Sequence, residues 1–283
     1  MKKITFMVKF AFSSNAFTNF SLSDAIRDIS RLGYTGVEIM CDVPHAYPPN
    51  LNVEKINEIQ NTLARNKLEI SNLNAFTLFA LGDTYHPSWI ETTKDKRESR
   101  INHTKDCIDL ASKLGAKNIS VEPGGPLVQS ENLSTQKALE LFKQGIKKVL
   151  PHAEKNQVKI LIEPEPGLLI ENSKQFLEFM NDFDSEYLGL NFDIGHFYCV
   201  NEDPSSLILE LKDYIEHFHM ADIKNRVHYH LIPGLGAIDF QSVFKAIKEI
   251  GYYGYITVEL YPYKENPSEA AKVSFEYLQS LEI

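Results

Sequence analysis

The sequence predicts one α/β domain, a single (β/α)8 TIM barrel, and three observations predict it. Short β-rich runs alternate with longer stretches of helical periodicity, the signature of repeated βα units and a parallel sheet, and eight such units can be counted. A Gly that ends a helix before the next strand recurs in Leu32-Gly33-Tyr34, Leu114-Gly115-Ala116 and Ile250-Gly251-Tyr252. No Pro-, Gly- or Ser-rich linker and no charge block divides the 283 residues, a length that suits one closed barrel.

In chain order the strand candidates are Ile4 to Phe12, Gly36 to Met40, Glu69 to Ala75, Asn118 to Glu122, Lys159 to Glu163, Gly189 to Asp193, Tyr214 to His219 and Tyr255 to Glu259. Helical stretches between them include Leu22 to Leu32, Val53 to Asn66, Arg97 to Leu114 and Thr135 to Asn156, several opened by Ser or Asn in capping position. The longest irregular stretch, Leu81 to Thr93, holds His86, Pro87 and the only tryptophan, Trp89. Structureless insertions of about this length are uncommon in compact domains and are usually functional. We therefore expect a lid that lends aromatic surface, Trp89 included, to a bound substrate.

With 43% hydrophobic and 24% charged residues the composition is that of a globular chain, which excludes disorder, collagen and coiled coil. Lys plus Arg number 29 against 38 Asp plus Glu, a formal charge of −9, so attraction to a polyanion is not the default and no nucleic acid partner is expected. Cys41, Cys107 and Cys199 are odd in number and far apart, which fits reduced thiols and a cytoplasmic location. The run from Met1 to Phe12 carries scattered lysines and is too short to span a bilayer, so neither export nor a membrane anchor is expected.

Five of the nine histidines, His196, His217, His219, His228 and His230, fall between positions 196 and 230. Imidazole clustered with carboxylates reads first as a metal site. Carboxylates also end four strand candidates: Glu122, Glu163, Asp193 and Glu259. In a parallel barrel those ends share the catalytic face. A charged side chain pointing inward there costs several kcal/mol of desolvation, roughly, which a bound cation offsets better than packing does. Any one of them alone reads as a strand-end salt bridge; four, with His219 ending a further strand, read as metal binding.

Glu163, Asp193, His219 and Glu259 come one each from strands five to eight, so they can converge above the barrel axis. Three oxygen donors and one nitrogen suit Mn²⁺, Mg²⁺, Co²⁺ or Zn²⁺ without selecting among them. His217, two residues before His219, points the same way at a different depth and reads as a buried structural histidine. His228 and His230 precede Pro233-Gly234-Leu235-Gly236, a glycine turn that can bring backbone close to a ligand, and His230 is the better functional candidate.

These pieces carry a resemblance. Leu161-Ile162-Glu163-Pro164, Phe192-Asp193-Ile194-Gly195-His196, His217 through Asp222, His230 through Asp239, and Gly251 through Glu259 resemble, in order and spacing, the xylose isomerase-like TIM-barrel superfamily. The nearest branch is that of sugar (phosphate) isomerases and epimerases with D-tagatose 3-epimerase-like members; Gly33-Tyr34-Thr35-Gly36-Val37-Glu38 agrees with it in the N-terminal half. The resemblance implies a divalent ion on Glu163, Asp193, His219 and Glu259, with Glu163 and Glu259 also the acid/base pair on opposite faces of a sugar. It implies substrate contacts from His196 and Arg226, and Glu38 and Trp89 are counted with them; Arg226 has the alternative of an ordinary surface residue.

The same superfamily contains endonuclease IV, a three-zinc phosphodiesterase, and the resemblance extends to it. Asp193-Ile194-Gly195-His196 looks like its Asp-x-x-His pair, and His228-Tyr229-His230 stands in the place of its Asp-x-His, with His228 where Asp is usual. Glu122 and Asn74 stand where it has histidines, so Glu122, His196, His228 and His230 are possible additional ligands. Lys224, Asn225 and Arg226 could hold one phosphate group. A non-catalytic binding module on the same barrel is a third class, disfavoured by the intact ligand set. No P-loop, dinucleotide fingerprint or nucleophile elbow appears. The expectation is a metal-dependent sugar or sugar-phosphate isomerase/epimerase acting through an enediolate. The alternative is a di- or trinuclear zinc phosphoesterase on a small phosphate ester. Its partner is expected to be a small carbohydrate or sugar phosphate, and homo-oligomerisation is plausible from the family alone.

Overall fold

In the computed structural model, which describes residues 8–127 and 133–281, eight parallel strands close on themselves in sequence order, β1 pairing with both β2 and β8. The elements are β1 (Lys9–Ser13), α1 (Leu22–Arg31), β2 (Gly36–Met40), α2 (Val53–Asn66), β3 (Glu69–Asn74), α3 (Lys94–Leu114), β4 (Asn118–Val121), α4 (Thr135–Asn156) and β5 (Lys159–Ile162). They continue with α5 (Ser173–Met180), β6 (Leu188–Asp193), the short α6 (Ile194–Cys199) and α7 (Pro204–Glu210), β7 (Ile215–Met220), α8 (Phe240–Glu249), β8 (Tyr255–Val258) and α9 (Pro267–Ser280). The expected TIM barrel is present. No helix among the described residues is long and apolar enough to cross a membrane.

Local chemistry explains where the helices begin and end. The side chains of Ser21, Asn52 and Ser134 accept the N–H three residues on, at the starts of α1, α2 and α4, each satisfying a donor that the helix leaves free. Gly115 ends α3 in the left-handed region at φ 77°. Gly33, at φ 100°, has a second reason to lack a side chain: a Cβ there would lie 2.7 Å from the Phe275 ring of α9. Helix α3 starts three residues earlier than expected, at Lys94, and β1 runs from Lys9 to Ser13; Ile4 to Met7 of the expected first strand lie outside the described residues. Glu122, Glu163 and Glu259 sit one residue beyond their strands, where the ladders give way to loops.

An apolar cluster runs through Val37, Ile119, Ile162, Phe192 and Val258 of the strands and Ile26, Phe142, Phe176 and Val243 of the helices. The space inside the cylinder is different. Ser71 of β3 and Thr257 of β8, on strands that do not pair, meet at 2.9 Å across it. Asn72 donates to Glu38 and Ser120 at 2.7 and 2.8 Å, and His217 has one ring nitrogen 2.9 Å from Asn191 Oδ1 and the other 2.9 Å from Thr257 Oγ1. The strand period of two carries this polar column upward, from Asn191 to Asp193, His217 to His219 and Thr257 to Glu259. His217 is thus buried and partnered on both ring nitrogens, with a ligand atom also within 4.8 Å of ones on Glu38 and His219.

The loop after β7 is shaped by one carboxylate. Buried Asp222 accepts the backbone N–H groups of Ile223, Gly234, Gly236 and Ile238 at 2.8–3.1 Å. Gly236 has to be glycine, because a Cβ would come within 2.2 Å of Asp222 Oδ1. Replacing Asp222 with Ala leaves four donors without their acceptor, two of them, at Ile223 and Ile238, buried, and we expect a loss of about 3 kcal/mol of stability. Urea unfolding checks this, and faster amide exchange at Gly234 and Gly236 checks that the loss begins in this loop.

Candidate active site

The polar column ends in a cluster at the C-terminal mouth of the barrel. Glu163, Asp193, His219 and Glu259 each offer an atom within 4.8 Å of the others, and all four are buried. His219 is the centre. Its Nδ1 lies 2.7 Å from Glu163 Oε1 and 3.6 Å from Glu259 Oε2, while its Nε2 lies 2.5 Å from Glu38 Oε2. Asn15, in the turn after β1, and Asn74, at the end of β3, donate to Glu259 Oε1 at 2.8 and 3.2 Å. Asp193 caps α6 by accepting the His196 N–H on Oδ1 at 2.8 Å.

These groups set one another's charge. Burial alone would raise Glu38, but the His219 imidazolium outweighs it and holds the carboxyl at about 2. Asp193, likewise buried, is held at about 2 by His196, His230 and His219. Burial pushes Glu163 above its ordinary value and Glu259 well above. For His219 burial works toward the neutral ring, and Glu163, Glu38 and Glu259 overcome it, raising the imidazole well above its usual range.

A divalent cation fits this donor set. Asp193 Oδ2 is buried with no hydrogen-bond partner, an arrangement that costs free energy unless something positive meets it. Glu38 on the far nitrogen of His219 is the orienting carboxylate that metal-binding histidines commonly have.

A second group adjoins the first. The Nε2 atoms of His196, His228 and His230 lie 3.0–3.3 Å from one another. His196 Nδ1 lies 2.9 Å from the Pro164 carbonyl and His230 Nδ1 2.9 Å from that of Glu259. Carbonyls only accept, so both Nδ1 atoms carry the hydrogen and both neutral rings aim an Nε2 lone pair into the group. Burial lowers His196 to about 3 and His228 to about 4.

Both groups open into a cavity of about 460 Å³. Glu163, Glu259, His196, His228 and His230 line it, as do Tyr85 and Tyr261 from the loops after β3 and β8. A larger depression, about 1140 Å³, lies at the other end of the barrel around the ion pairs Lys9–Glu69 and Lys159–Glu216, where barrels build stability and not catalysis.

Four expected site residues are elsewhere. Trp89 is 1% exposed and packs on Phe142 with centroids 5.7 Å apart, because Arg100 draws its loop inward: the guanidinium donates to the Pro87 and Phe76 carbonyls at 2.8 Å each. Glu122 faces that same buried Arg100, 3.7 Å away, and accepts the Trp89 N–H; burial still raises it to about 7, and it lies apart from both imidazole groups. Arg226 stacks on the Tyr198 ring at 3.7 Å and donates to the Tyr198 carbonyl, outside the cavity wall. Glu38 is fully buried beneath His219 and has no face toward a substrate.

Among the carboxylates of the cavity, Glu165 went unread in the sequence. Glu165 accepts a hydrogen bond from Tyr85 at 2.7 Å, and its carboxylate comes within 3.9 Å of His228 Nδ1; burial raises it to about 8. The signal was the second carboxylate in Glu163-Pro164-Glu165-Pro166-Gly167. Of the loop from Leu81 to Thr93, Tyr85 and not Trp89 lines the cavity.

A family model described as xylose isomerase-like TIM barrel matches residues 26–281. Fructoselysine 3-epimerase of Shigella flexneri is 26% identical over 266 residues, covering 92% of this chain and 93% of that protein. Inosose dehydratase of Clostridium beijerinckii is 24% identical over 290 residues, covering 92% and 89%. Among solved structures, a D-tagatose 3-epimerase-like protein superposes with a TM-score of 0.76 at 25% identity, covering 96% of this chain and 98% of that one.

The charge states carry a sign that can be tested. Without an ion, Glu163, Glu259 and His219 hold protons above their ordinary values, so cation binding must release protons and the affinity must rise with pH. Calorimetric titration of metal-free protein in two buffers of different ionisation enthalpy measures the release. Groups raised by folding stabilise at low pH and lose that contribution as pH rises through the folded-state value, which for Glu122 and Glu165 is about 7 and about 8. Glu38 and Asp193, held at about 2, add no slope near neutrality. Below 6.5, the ordinary imidazole value, the lowered His196 and His228 oppose this loss, so the thermal midpoint of metal-free protein is expected to fall as pH rises from about 6.5 to about 8, and that of metal-loaded protein to fall less.

Proposed function

The chain belongs to the xylose isomerase-like TIM-barrel family, and from that premise we propose that it is a metal-dependent isomerase or epimerase of a small carbohydrate, moving a proton on the carbon beside a carbonyl. One observation carries the reading. Two buried carboxylates, Glu163 after β5 and Glu259 after β8, meet at His219 Nδ1 and open into the same cavity, so both can reach a sugar held there.

A divalent ion held by Glu163, Asp193, His219 and Glu259 supplies positive charge where a departing proton leaves negative charge on the substrate oxygens. Glu163 takes the proton from one face. Glu259 returns one from the other face for epimerisation, or the proton goes to the neighbouring carbon for isomerisation. Asn15 and Asn74 fix the orientation of Glu259. The Nε2 atoms of His196 and His230, which face His228 Nε2 at 3.0 and 3.3 Å, would accept from substrate hydroxyls only where His228 yields them, and the Tyr85–Glu165 pair helps exclude water at the mouth. Dehydration of a hydroxyketone starts with the same proton removal, so that outcome belongs to the same reading.

The imidazole trio favours a second reading, a multinuclear zinc phosphoesterase with further ions on His196, His228 and His230. Metal analysis separates them: about one ion per chain goes with proton transfer, two or three zinc ions with hydrolysis. For Glu259→Gln we expect solvent deuterium uptake into a ketose to fall by at least ~100-fold with a smaller loss of substrate binding. Metal content measured on the same sample separates the lost proton carrier from a lost ligand. Near-normal uptake with the ion bound removes Glu259 from the chemistry.

A further inference from the structure

Three imidazoles meet nitrogen to nitrogen at the mouth. His228 Nε2 stands 3.0 Å from His196 Nε2 and 3.3 Å from His230 Nε2, and those two stand 3.3 Å from each other. The Pro164 and Glu259 carbonyls, each 2.9 Å from an Nδ1, keep the hydrogens of His196 and His230 on the far side of their rings. Unless a cation lies among them, lone pairs facing one another at such distances repel. The hydrogen that holds the group together therefore comes from His228, whose Nε2–H is shared between two acceptors in a three-centre bond.

The three rings are not held alike. His196 and His230 are 3% and 1% exposed, each is fixed at Nδ1, and the His196 backbone N–H is also tied to Asp193. The His228 side chain is 21% exposed, and its Nδ1 makes no hydrogen bond among the described residues; the Glu165 carboxylate stands 3.9 Å away, out of reach. Its loop is pinned on either side, by Arg226 against Tyr198 and by Leu231 against Asp222, and between the pins Val227 and Tyr229 are exposed. Just before it, Asn225 and Arg226 both lie in the left-handed region, at φ 57° and 59°, which residues other than glycine enter at a cost. Of the three rings, His228 is the one free to leave.

A hydroxyl that binds to His196 and His230 has to replace that N–H. The exchange swaps one donor for another, so it costs little to a ligand with a hydroxyl at that place and the whole contact to a ligand without one. We propose that His228 is an internal stand-in for a substrate hydroxyl: its Nε2–H occupies the paired lone pairs of His196 and His230, and the ring withdraws when a bound sugar takes them. The proposal rests on the proton-transfer reading for the ligand that displaces the ring. It adds a residue that sets affinity and takes no part in moving the proton.

Two measurements on Mg²⁺-loaded protein test it. Long-range proton–nitrogen correlation spectra of ¹⁵N-labelled protein report which ring nitrogen carries the hydrogen. Nε2–H on His228 with Nδ1–H on His196 and His230 is expected, and the His228 Nε2 signal is expected to shift when a D-ketohexose is added. An Nδ1–H form of His228, or a His228 signal that stays put while a ketohexose binds, overturns the proposal. Repeated with Zn²⁺, metal-shifted Nε2 signals on all three rings overturn it in favour of the multinuclear site.

In the second, solvent deuterium uptake into the D-ketohexoses is followed in His228→Ala and His228→Gln. Ala removes the competing donor and is expected to lower KM at least ~threefold, with the change in KM larger than any in kcat. Gln, whose amide N–H replaces the lost one, is expected to restore a KM near that of the unaltered protein. A raised or unchanged KM in His228→Ala overturns the proposal. Ketohexoses bound without uptake, yet with the His228 signal shifted, reject the proton-transfer reading and leave the stand-in established; no binding of any of them overturns both.

Discussion

An imidazole sealed inside the barrel between acids governs the site. His219 has no exposed surface, and a carboxylate meets each of its ring nitrogens, Glu163 on one side and Glu38 on the other. Removing either partner would strand a buried charge, at a cost of about 3–5 kcal/mol. The column of Asn72, Asn191, His217, Ser71 and Thr257 beneath it follows from the same constraint, because polar groups within the cylinder need partners that helices outside cannot reach. The barrel is therefore apolar in its outer layer and hydrogen-bonded along its axis, with chemistry at one end.

The two groups at the mouth divide their electrostatics. In the four-donor cluster burial raises Glu163 and Glu259 while the neighbouring imidazoles lower Asp193 to about 2, whereas burial lowers the imidazoles of the trio and keeps them neutral. One end of the cavity thus collects positive charge and the other offers lone pairs to hydroxyl groups. A polyhydroxy ketone presents complementary features, an oxygen pair that gains negative charge and hydroxyls that donate.

What was legible in the sequence follows from periodicity. Eight alternating units gave the barrel, and the strand period of two makes Glu163, Asp193, His219 and Glu259 neighbours, because equivalent strand ends share one rim. Loop residues have no such rule. Trp89 looked like a lid aromatic, but its direction is set by Arg100, contributed by α3 from outside the loop. Glu122 has the right strand end and the wrong partner for the same reason. Arg226 turns away through a stacking contact with Tyr198, 28 residues earlier. Glu165 was passed over because it follows a strand end that already had its carboxylate, and its recruitment depends on Tyr85, 80 residues distant in the chain.

The Arg100 guanidinium grips the chain at Phe76 and again at Pro87, so the span between them is a bracket bolted at both feet. That span carries Phe79 and Tyr85 to the cavity. Between the bolts the Thr77 hydroxyl and the Phe79 and Ala80 N–H groups donate to buried Asp42 in the loop after β2, and Leu78 is fully buried, so the span is riveted to the barrel as well as to α3. The rings at the mouth therefore stand on the same frame as the acid–imidazole cluster below them.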